Sequence, residues 1–193
     1  VAMVDVLAAQ QLKEGILLAL WQRGHSDHGA YVEVSLEEAA LAGLVNQASN
    51  QLMVGHSARP LGTLHPNIAP YGEWFSCAAG ERIVLAVGND KQFRALCAVL
   101  GGGDLATDAR FLRNTLRVTH REALAAELAV WIGKWERGAL LAALAAAGVP
   151  AGAIHTIAEA LATPQARALR VEEEIDGRPT VRLRGNVFRI GAL

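Results

Sequence analysis

Apolar and polar positions alternate along the first third of the chain in ways that predict two strands and two helices. Val1–Val4 are apolar and β-prone, which predicts a strand. A helical apolar stripe follows, from Asp5 to about Arg23. Tyr31–Val34 alternates apolar and polar residues, so we predict a second strand there.

The second predicted helix begins at a capping signal and ends in a long aperiodic segment. Ser35 and Glu38 have the spacing of a capping box, so a helix is predicted from there to about Met53. Residues 55–72 are rich in Gly, Pro, His and Asn and show no periodicity. Aperiodic segments of this length are usually functional loops or linkers, and we place a domain boundary here.

A hairpin and a capped helix are predicted next. We predict two paired strands, at Trp74–Cys77 and Arg82–Val87, joined by a turn at Ala79-Gly80. Either Asn89 or Asp90 caps a helix that ends before three glycines, Gly101–Gly103.

The C-terminal part of the chain predicts several short helices and a final hairpin. Two or three helices rich in Ala and Leu lie between about Arg117 and Ala147, and a short helix covers Ile157–Leu161. A further helix follows Pro164. Val171–Ile175 and Thr180–Leu183 are strand-like and are joined by an Asp-Gly turn.

Taken together, these elements predict a helix-rich α/β fold of the α+β kind. Residues 1–60 form a helix-strand-helix segment of a first domain, residues 73–165 a small α+β domain, and residues 166–193 strands that return to the first domain. The chain begins with Val1 rather than Met, so we expect a fragment of a longer protein.

The composition of the chain limits the classes of function that it can have. With 52% hydrophobic and 19% charged residues and a net charge of −1, the chain suits a packed core and lacks the basic surface that nucleic-acid binding needs. No stretch reaches the ~18–20 uncharged apolar residues that span a bilayer. Cys77 and Cys97 have no metal-type spacing, so we expect buried thiols, a cytoplasmic location and no metal.

Several stretches, in order, resemble the family III CoA-transferases, which include formyl-CoA transferase, carnitine-type and dicarboxylate CoA-transferases and α-methylacyl-CoA racemases. The resemblance covers nearly the whole chain, and its later stretches look closest to the dicarboxylate type. The stretches that carry it are Val1–Asp5 with Gly15–Leu20, Gly29–Leu36, His65–Tyr71, Leu85–Asp90 with Gln92-Phe93, and Ala147–Gly152.

The resemblance implies that this chain is about half of a family member. It would comprise a remnant of the large CoA-transferase domain plus a small α+β domain. The N-terminal half, which supplies most contacts to the CoA nucleotide, would be missing, so the isolated chain is expected to be inactive. The cofactor-binding residues are therefore unknown. The implied partners are an acyl-CoA, a small carboxylic acid and a second copy of the chain, since family members form interlocked dimers.

By the same resemblance, Asp5 matches the family's nucleophilic aspartate. Its carboxylate would attack the thioester of an acyl-CoA, and CoA would pass to an acceptor acid through aspartyl anhydride and thioester intermediates. In the racemase branch, the corresponding aspartate is an acid/base for the α-proton, so both chemistries stay open. From the residues alone, without the resemblance, the favoured interpretation of Asp5 is a helix N-cap.

Three departures from the family pattern weaken the expectation of activity. The second of them and the missing nucleotide-binding half favour a different class, a non-catalytic module that pairs with itself or another subunit. Ala8-Ala9 replaces a Thr-Gly pair, Ser26–Ala30 lacks an arginine and a glutamine, and Gly152–Ile154 lacks a proline. His65, in the loop that nears the active site in relatives, either contacts substrate or packs the loop. His25 and His28 resemble a metal pair, but we expect them to be solvated.

Overall fold

The computed structural model describes residues 1–191, which divide into two compact units. The first extends from Val1 to Pro60, and the second begins at Leu61. The described residues form ten helices and two small antiparallel sheets, so the predicted helix-rich α/β character is confirmed. The last two residues of the predicted returning segment, 192 and 193, lie outside this description.

The first unit is built from three helices: α1 (Met3–Ser26), α2 (Leu36–Ala42) and α3 (Asn46–Val54). Two glycines allow close packing within it. A Cβ at Gly15 would lie 2.7 Å from Val32 Cγ1, and a Cβ at Gly43 would lie 2.7 Å from Leu7 Cδ1. Any larger residue at either position would therefore push a neighbouring apolar side chain away.

Both strand predictions for the first unit are wrong. Helix α1 begins at Met3, inside the apolar run taken as a strand, and Tyr31–Val34 has no strand conformation. A strand needs a neighbour to satisfy its backbone groups, and residues 1–60 contain no other strand to supply one. Periodicity alone cannot detect that lack.

The helix predicted from Ser35 to Met53 is interrupted. It divides into α2 and α3 at Gly43–Val45, where Val45 has a φ of 42°. The N-cap is confirmed, because Ser35 Oγ accepts a hydrogen bond from the Glu38 backbone N–H at 3.3 Å.

The second unit contains a sheet of β1 (Tyr71–Ser76), β2 (Arg82–Ala86) and β3 (Ala151–Ala153), in that order and antiparallel throughout. The β1–β2 hairpin confirms the prediction. Strand β3 was not predicted, since three small residues carry no strand pattern.

Five helices lie between β2 and β3 along the chain. They are α4 (Asp90–Leu100), α5 (Gly103–Thr107), α6 (Asn114–Thr119), α7 (Arg121–Ile132) and α8 (Arg137–Ala146). Asn89 is the N-cap of α4, and its Oδ1 accepts from the Gln92 N–H at 2.9 Å. Gly101, with a φ of 78°, ends the helix in the left-handed conformation, as the three glycines predicted.

The sheet and the helices α4–α8 share one hydrophobic core. Side chains of β2 enter it at alternate positions, and those of α7 at every fourth position, as the two periodicities require. Its fully buried members include Ile83, Leu85, Phe93, Leu96, Leu124, Leu128, Ile132, Leu140 and Leu144. This core holds helices α4–α8 against the sheet of the second unit.

The C-terminal elements match the sequence-based prediction closely. They are α9 (Ile157–Leu161), α10 (Pro164–Ala168), β4 (Arg170–Ile175) and β5 (Arg178–Leu183). Strands β4 and β5 pair through a turn in which Asp176 and Gly177 both have positive φ, 50° and 71°. Among the described residues, these two strands pair only with each other.

Candidate functional site

Asp5 lies in the first turn of α1 and is exposed. The N-cap is Ala2, so the capping role considered for Asp5 does not apply. Helix N-termini carry a partial positive charge, which favours a carboxylate at this position. The strand expected before Asp5 is absent because the helix already begins at Met3.

In the second unit, the segment 61–72 is folded around His65. It is here called the junction loop and includes the first two residues of β1. The His65 N–H donates to the Tyr71 carbonyl at 3.0 Å, which closes the loop on itself. His65 Nδ1 accepts a hydrogen bond from the Asn67 N–H at 3.1 Å. The imidazole edge lies against the Tyr71 ring, with centroids 5.3 Å apart. His65 thus packs within its own loop.

Three polar side chains from α6 and α7 bind the backbone of the junction loop. Asn114 accepts from the Ala69 N–H at 3.1 Å and donates to the Asn67 carbonyl at 2.7 Å. Arg121 donates to the carbonyls of His65 and Ile68. The third is an arginine one helical turn after Asn114. A loop held at this many backbone groups has few alternative conformations.

That arginine, Arg117, is completely buried. Its Nε donates to the Ala69 carbonyl at 2.8 Å, its Nη1 to the Phe111 carbonyl at 3.0 Å, and its Nη2 to Asp90 Oδ1 at 2.7 Å. The guanidinium also lies 4.4 Å from the centroid of the Phe93 ring. One side chain therefore joins the junction loop to the start of α4.

Glu73 forms an ion pair with Arg121, Oε1 to Nη1 at 2.9 Å, and is buried. Burial raises the pKa of its carboxyl above the ordinary value, and the charge of Arg121 opposes that rise. Its Oε2 has no hydrogen-bond partner among the described residues. Arg121 is thus held at one end by a carboxylate and at the other by the loop.

Three of the stretches singled out in the sequence meet at one end of the sheet. The Val87 N–H donates to the Pro70 carbonyl, and the Ala86 N–H to the Pro150 carbonyl, both at 3.0 Å. Leu85 pairs with Ala151 across β2 and β3. The segments His65–Tyr71, Leu85–Asp90 and Ala147–Gly152 therefore form one junction in the second unit.

The remaining candidates have ordinary structural roles. His25 Nδ1 lies 2.9 Å from the Trp21 carbonyl oxygen, and His28 Nδ1 contacts the Ser26 carbonyl oxygen; both rings are exposed. Within residues 1–191, no group of three or more His, Cys, Asp or Glu residues could hold a metal ion. Cys77 and Cys97 are buried free thiols, and burial raises the pKa of Cys97 to about 11.

Sequence reasoning missed Asn114, Arg117 and Arg121. Asn114 and Arg117 have the i, i+3 spacing of one face of α6, and Arg121 is the first residue of α7. The loop whose backbone they bind lies 45 to 56 residues earlier in the chain, so no short-range signal in the sequence links them to it. No helix in the described part of the chain is long and apolar enough to cross a membrane.

A sequence model of CoA-transferase family III matches residues 1–192. The chain belongs to this family. It is 39% identical over 178 residues to succinate–glutarate CoA-transferase of Agrobacterium fabrum, covering 91% of this chain and 44% of that protein. It is 35% identical over 154 residues to acetyl-CoA:oxalate CoA-transferase of Acetobacter aceti, covering 80% of this chain and 39% of that protein.

The fold is similar to solved structures of the same family. A CAIB/BAIF family protein from Brucella suis superposes with a TM-score of 0.77 at 39% identity, covering 98% of this chain and 49% of the other. The family III chain therefore spans about half the length of the relatives it matches.

Proposed function

We propose that this family III chain is part of an enzyme that moves CoA between an acyl-CoA and a carboxylic acid, with Asp5 as the nucleophile. The observation that carries the proposal is the family match across residues 1–192, which extends to the first turn of α1 where Asp5 lies. The identity to a dicarboxylate CoA-transferase supports dicarboxylates as the acid substrates.

Each step exchanges one bond to an acyl carbon for another. A carboxylate oxygen of Asp5 attacks the thioester carbon and the C–S bond breaks. The products of this step are free CoA thiolate and a mixed anhydride between Asp5 and the acyl group. The thiolate then attacks the aspartyl carbon, which releases the donor carboxylate and leaves an aspartyl-CoA thioester. The acceptor carboxylate then attacks the aspartyl carbon and displaces CoA thiolate. The thiolate attacks the acceptor's acyl carbon, which releases the carboxylate of Asp5. Asp5 is then free and the acceptor carries CoA.

The position of Asp5 suits the first step because an attacking carboxylate must be ionised. An exposed carboxylate in the first turn of a helix is solvated and feels the favourable end of the helix dipole. The chain spans about half the length of the relatives it matches, and the family resemblance implies that most contacts to the CoA nucleotide come from the other half. Holding the reactants together can be worth roughly 7–11 kcal/mol of barrier. We therefore expect little transfer by this chain alone.

The test supplies the region that the relatives have and this chain does not. The chain is completed with the N-terminal part of the Agrobacterium relative, incubated with succinyl-CoA, and analysed by mass spectrometry after hydroxylamine trapping. We expect a modification at Asp5 that Asp5→Asn abolishes. Asp27→Asn, at the exposed end of the same helix, is the matched control and should leave it intact. Modification that persists in Asp5→Asn would refute the nucleophile.

The racemase-type alternative uses the same aspartate for a different bond. There Asp5 removes the α-proton of an acyl-CoA and no CoA changes partner. Deuterium from D₂O entering the α-position, without exchange of CoA between acids, would favour it.

A homodimer is part of the proposal because α1 has apolar side chains on all sides and none of its residues is buried. Leu17, Leu18 and Trp21 are 60%, 61% and 68% exposed. A helix with such a surface is normally covered. The same surface supports the second candidate, a non-catalytic module that associates with itself. Light scattering tests association: a monomer at high micromolar concentration would contradict both ideas.

The remaining parts of the proposal concern the division into domains and the location of the protein in the cell. Residues 73–165 are a small domain, and residues 166–193 return to the large domain that residues 1–60 help to build. Two buried thiols without a disulfide fit a cytoplasmic location. Small-angle scattering of the completed protein, with and without residues 166–193, would test whether that segment belongs to the large domain.

A further inference from the structure

The Asp176-Gly177 turn determines which backbone groups of the β4–β5 hairpin face outward. A two-residue turn makes its flanking residues, Ile175 and Arg178, a hydrogen-bonded pair, and every second pair after it is hydrogen-bonded as well. The hydrogen bond from the Arg184 N–H to the Leu169 carbonyl, at 2.7 Å, belongs to this series. The pairs in between direct their N–H and C=O groups to the two outer edges of the hairpin.

The outer edge of β4 is complete, whereas that of β5 is interrupted. Arg170, Glu172 and Glu174 alternate with the hydrogen-bonded residues of β4, so each presents an N–H and a C=O at the edge. On β5, the residue opposite Glu174 is Pro179, which has no N–H to donate. A further strand can therefore form its full set of hydrogen bonds only beside β4.

The edge of β4 is open in the part of the chain that the structure describes. There β4 and β5 form a sheet of two strands, and no further backbone hydrogen bond reaches Arg170, Glu172 or Glu174. All three residues are exposed. A sheet of two strands is only marginally stable by itself, which favours the addition of a further strand.

The charges along this edge are complementary to those of a second copy in antiparallel orientation. When Glu172 lies opposite its own counterpart on a twofold axis, Arg170 of each copy lies opposite Glu174 of the other. Neither Arg170 nor Glu174 forms an ion pair within residues 1–191, so both are available for this contact. Two attractive pairs then outnumber the one repulsive contact between the two Glu172 side chains.

Other registers of the same two strands fit less well. A register shifted toward the turn sets Glu172 opposite Glu174 of the second copy twice, which is repulsive. A register shifted toward α10 pairs Arg170 with Glu172 and leaves Glu174 without a strand opposite it. Only the register centred on Glu172 uses the whole edge.

We propose that β4 is a self-association site, at which two copies of the chain join their hairpins into one antiparallel sheet of four strands, in the order β5–β4–β4–β5. This surface is separate from α1, and the inference does not depend on the proposed chemistry. A strand pair of this length buries less than the roughly 1,200 Å² of a standard stable interface. We therefore expect a dissociation constant in the high micromolar range.

Disulfide trapping tests the twofold axis on the full chain. Residues opposite each other in an antiparallel hydrogen-bonded pair have Cα atoms about 5.5 Å apart, within the range that a disulfide spans. Glu172→Cys should therefore form a covalent dimer under mild oxidation, whereas the parent, whose Cys77 and Cys97 are buried, should not. Val181→Cys, opposite Glu172 on the edge of β5, is the matched control and should remain monomeric. Equal yields of dimer from the two variants, or none from Glu172→Cys, would overturn the proposal.

Charge reversal tests the two ion pairs. Arg170→Glu sets Glu opposite Glu twice, and Glu174→Arg sets Arg opposite Arg twice, so each should raise Kd about tenfold or more. The double variant exchanges the partners and should return Kd to within about threefold of the parent. Sedimentation velocity at low salt measures these constants. Single variants that associate as tightly as the parent, or a double variant as weak as either, would overturn the proposal.

Failure of this inference is distinguishable from failure of the homodimer proposed from α1. Association through α1 does not respond to charge at β4, so a parent dimer that no β4 variant changes would leave α1 as the contact and refute β4. Trapping through Glu172→Cys that persists in combination with Trp21→Glu, on the exposed surface of α1, would show that β4 associates without α1. A parent that stays monomeric at millimolar concentration would refute both surfaces.

Discussion

Arg117 and Asp90 form an ion pair, Nη2 to Oδ1 at 2.7 Å, whose two partners differ completely in access to water. The Arg117 side chain is 0% exposed and the Asp90 side chain 41% exposed. Water can solvate the carboxylate if the arginine is lost, but it cannot reach the two carbonyl oxygens that Arg117 also binds. The cost of removing Arg117 should therefore come mainly from the backbone it satisfies.

Replacing Arg117 with Met should lower the free energy of unfolding by about 3 kcal/mol, because the carbonyls of Ala69 and Phe111 lose their donors. Met fills much of the same volume, so packing is largely kept. Urea denaturation measures the change. Arg94→Met, on an exposed position of α4, is the control and should stay within about 0.5 kcal/mol. Equal stabilities for the two variants would contradict the prediction.

The contribution of Glu73 should depend on pH in a definite direction. Its pKa in the folded protein is raised by burial above the ordinary 4.5, so between these two values the folded state binds more protons than the unfolded chain. The free energy of unfolding must then fall as pH rises through that window. Glu73→Gln cannot titrate, so the stability of the parent relative to this variant should fall from pH 4.5 upward.

Urea titrations of both proteins at several pH values check this sign. Glu172→Gln, an exposed position on β4, gives the background from changing a solvated charge. A parent that gains stability relative to Glu73→Gln as pH rises would show that the ion pair with Arg121 outweighs burial.

Gly72 should be the least replaceable glycine of the junction loop. Its φ is 83°, and a Cβ would lie 1.9 Å from the Thr63 carbonyl oxygen. Gly72→Ala should cost at least ~3 kcal/mol, because the loop backbone must move. Gly62 also has positive φ, 63°, but has open space around it, so Gly62→Ala should cost only about 1–2 kcal/mol. Thermal denaturation of the pair separates the steric clash from the backbone preference.

Asn89 should stabilise α4 through its cap. Its Oδ1 accepts from the Gln92 N–H, and Gln92 Oε1 accepts from the Gly88 N–H at 2.8 Å in return. Asn89→Ala should lose about 1 kcal/mol, and Asn89→Ser, which keeps an acceptor, should lose less. Chemical denaturation provides the comparison, and an Ala variant as stable as Ser would exclude the cap as the cause.

Local rules were sufficient where the cause of structure is local. The β1–β2 hairpin, the cap of α4 and the Asp176-Gly177 turn follow from turn and cap chemistry within a few residues. The sequence predicts the hairpin and the turn, and it limits the cap to Asn89 or Asp90. Local rules failed at Tyr31–Val34, where strand formation depends on a distant partner. Turns, caps and hairpins could be predicted from neighbouring residues, but a strand that depends on a distant partner could not.

The site was predictable only in outline. The junction loop stood out by its length and composition, and Asp5 and His65 by resemblance. The hydrogen bonds from Arg117 and Arg121 span about 50 residues and carry no short-range pattern, since charged residues are usually assigned to the surface. What the sequence could not show is that buried polar and charged side chains bind the backbone of this loop.

The anchoring of the junction loop also limits how its length can change. Between His65 and Ala69, five hydrogen bonds fix four carbonyl groups and one N–H to α6 and α7. One inserted residue would put every later carbonyl out of reach of its donor and would disturb Asp90 at the start of α4. Insertions and affinity tags should therefore be accepted in residues 55–60, ahead of the first anchor, and rejected between His65 and Ala69.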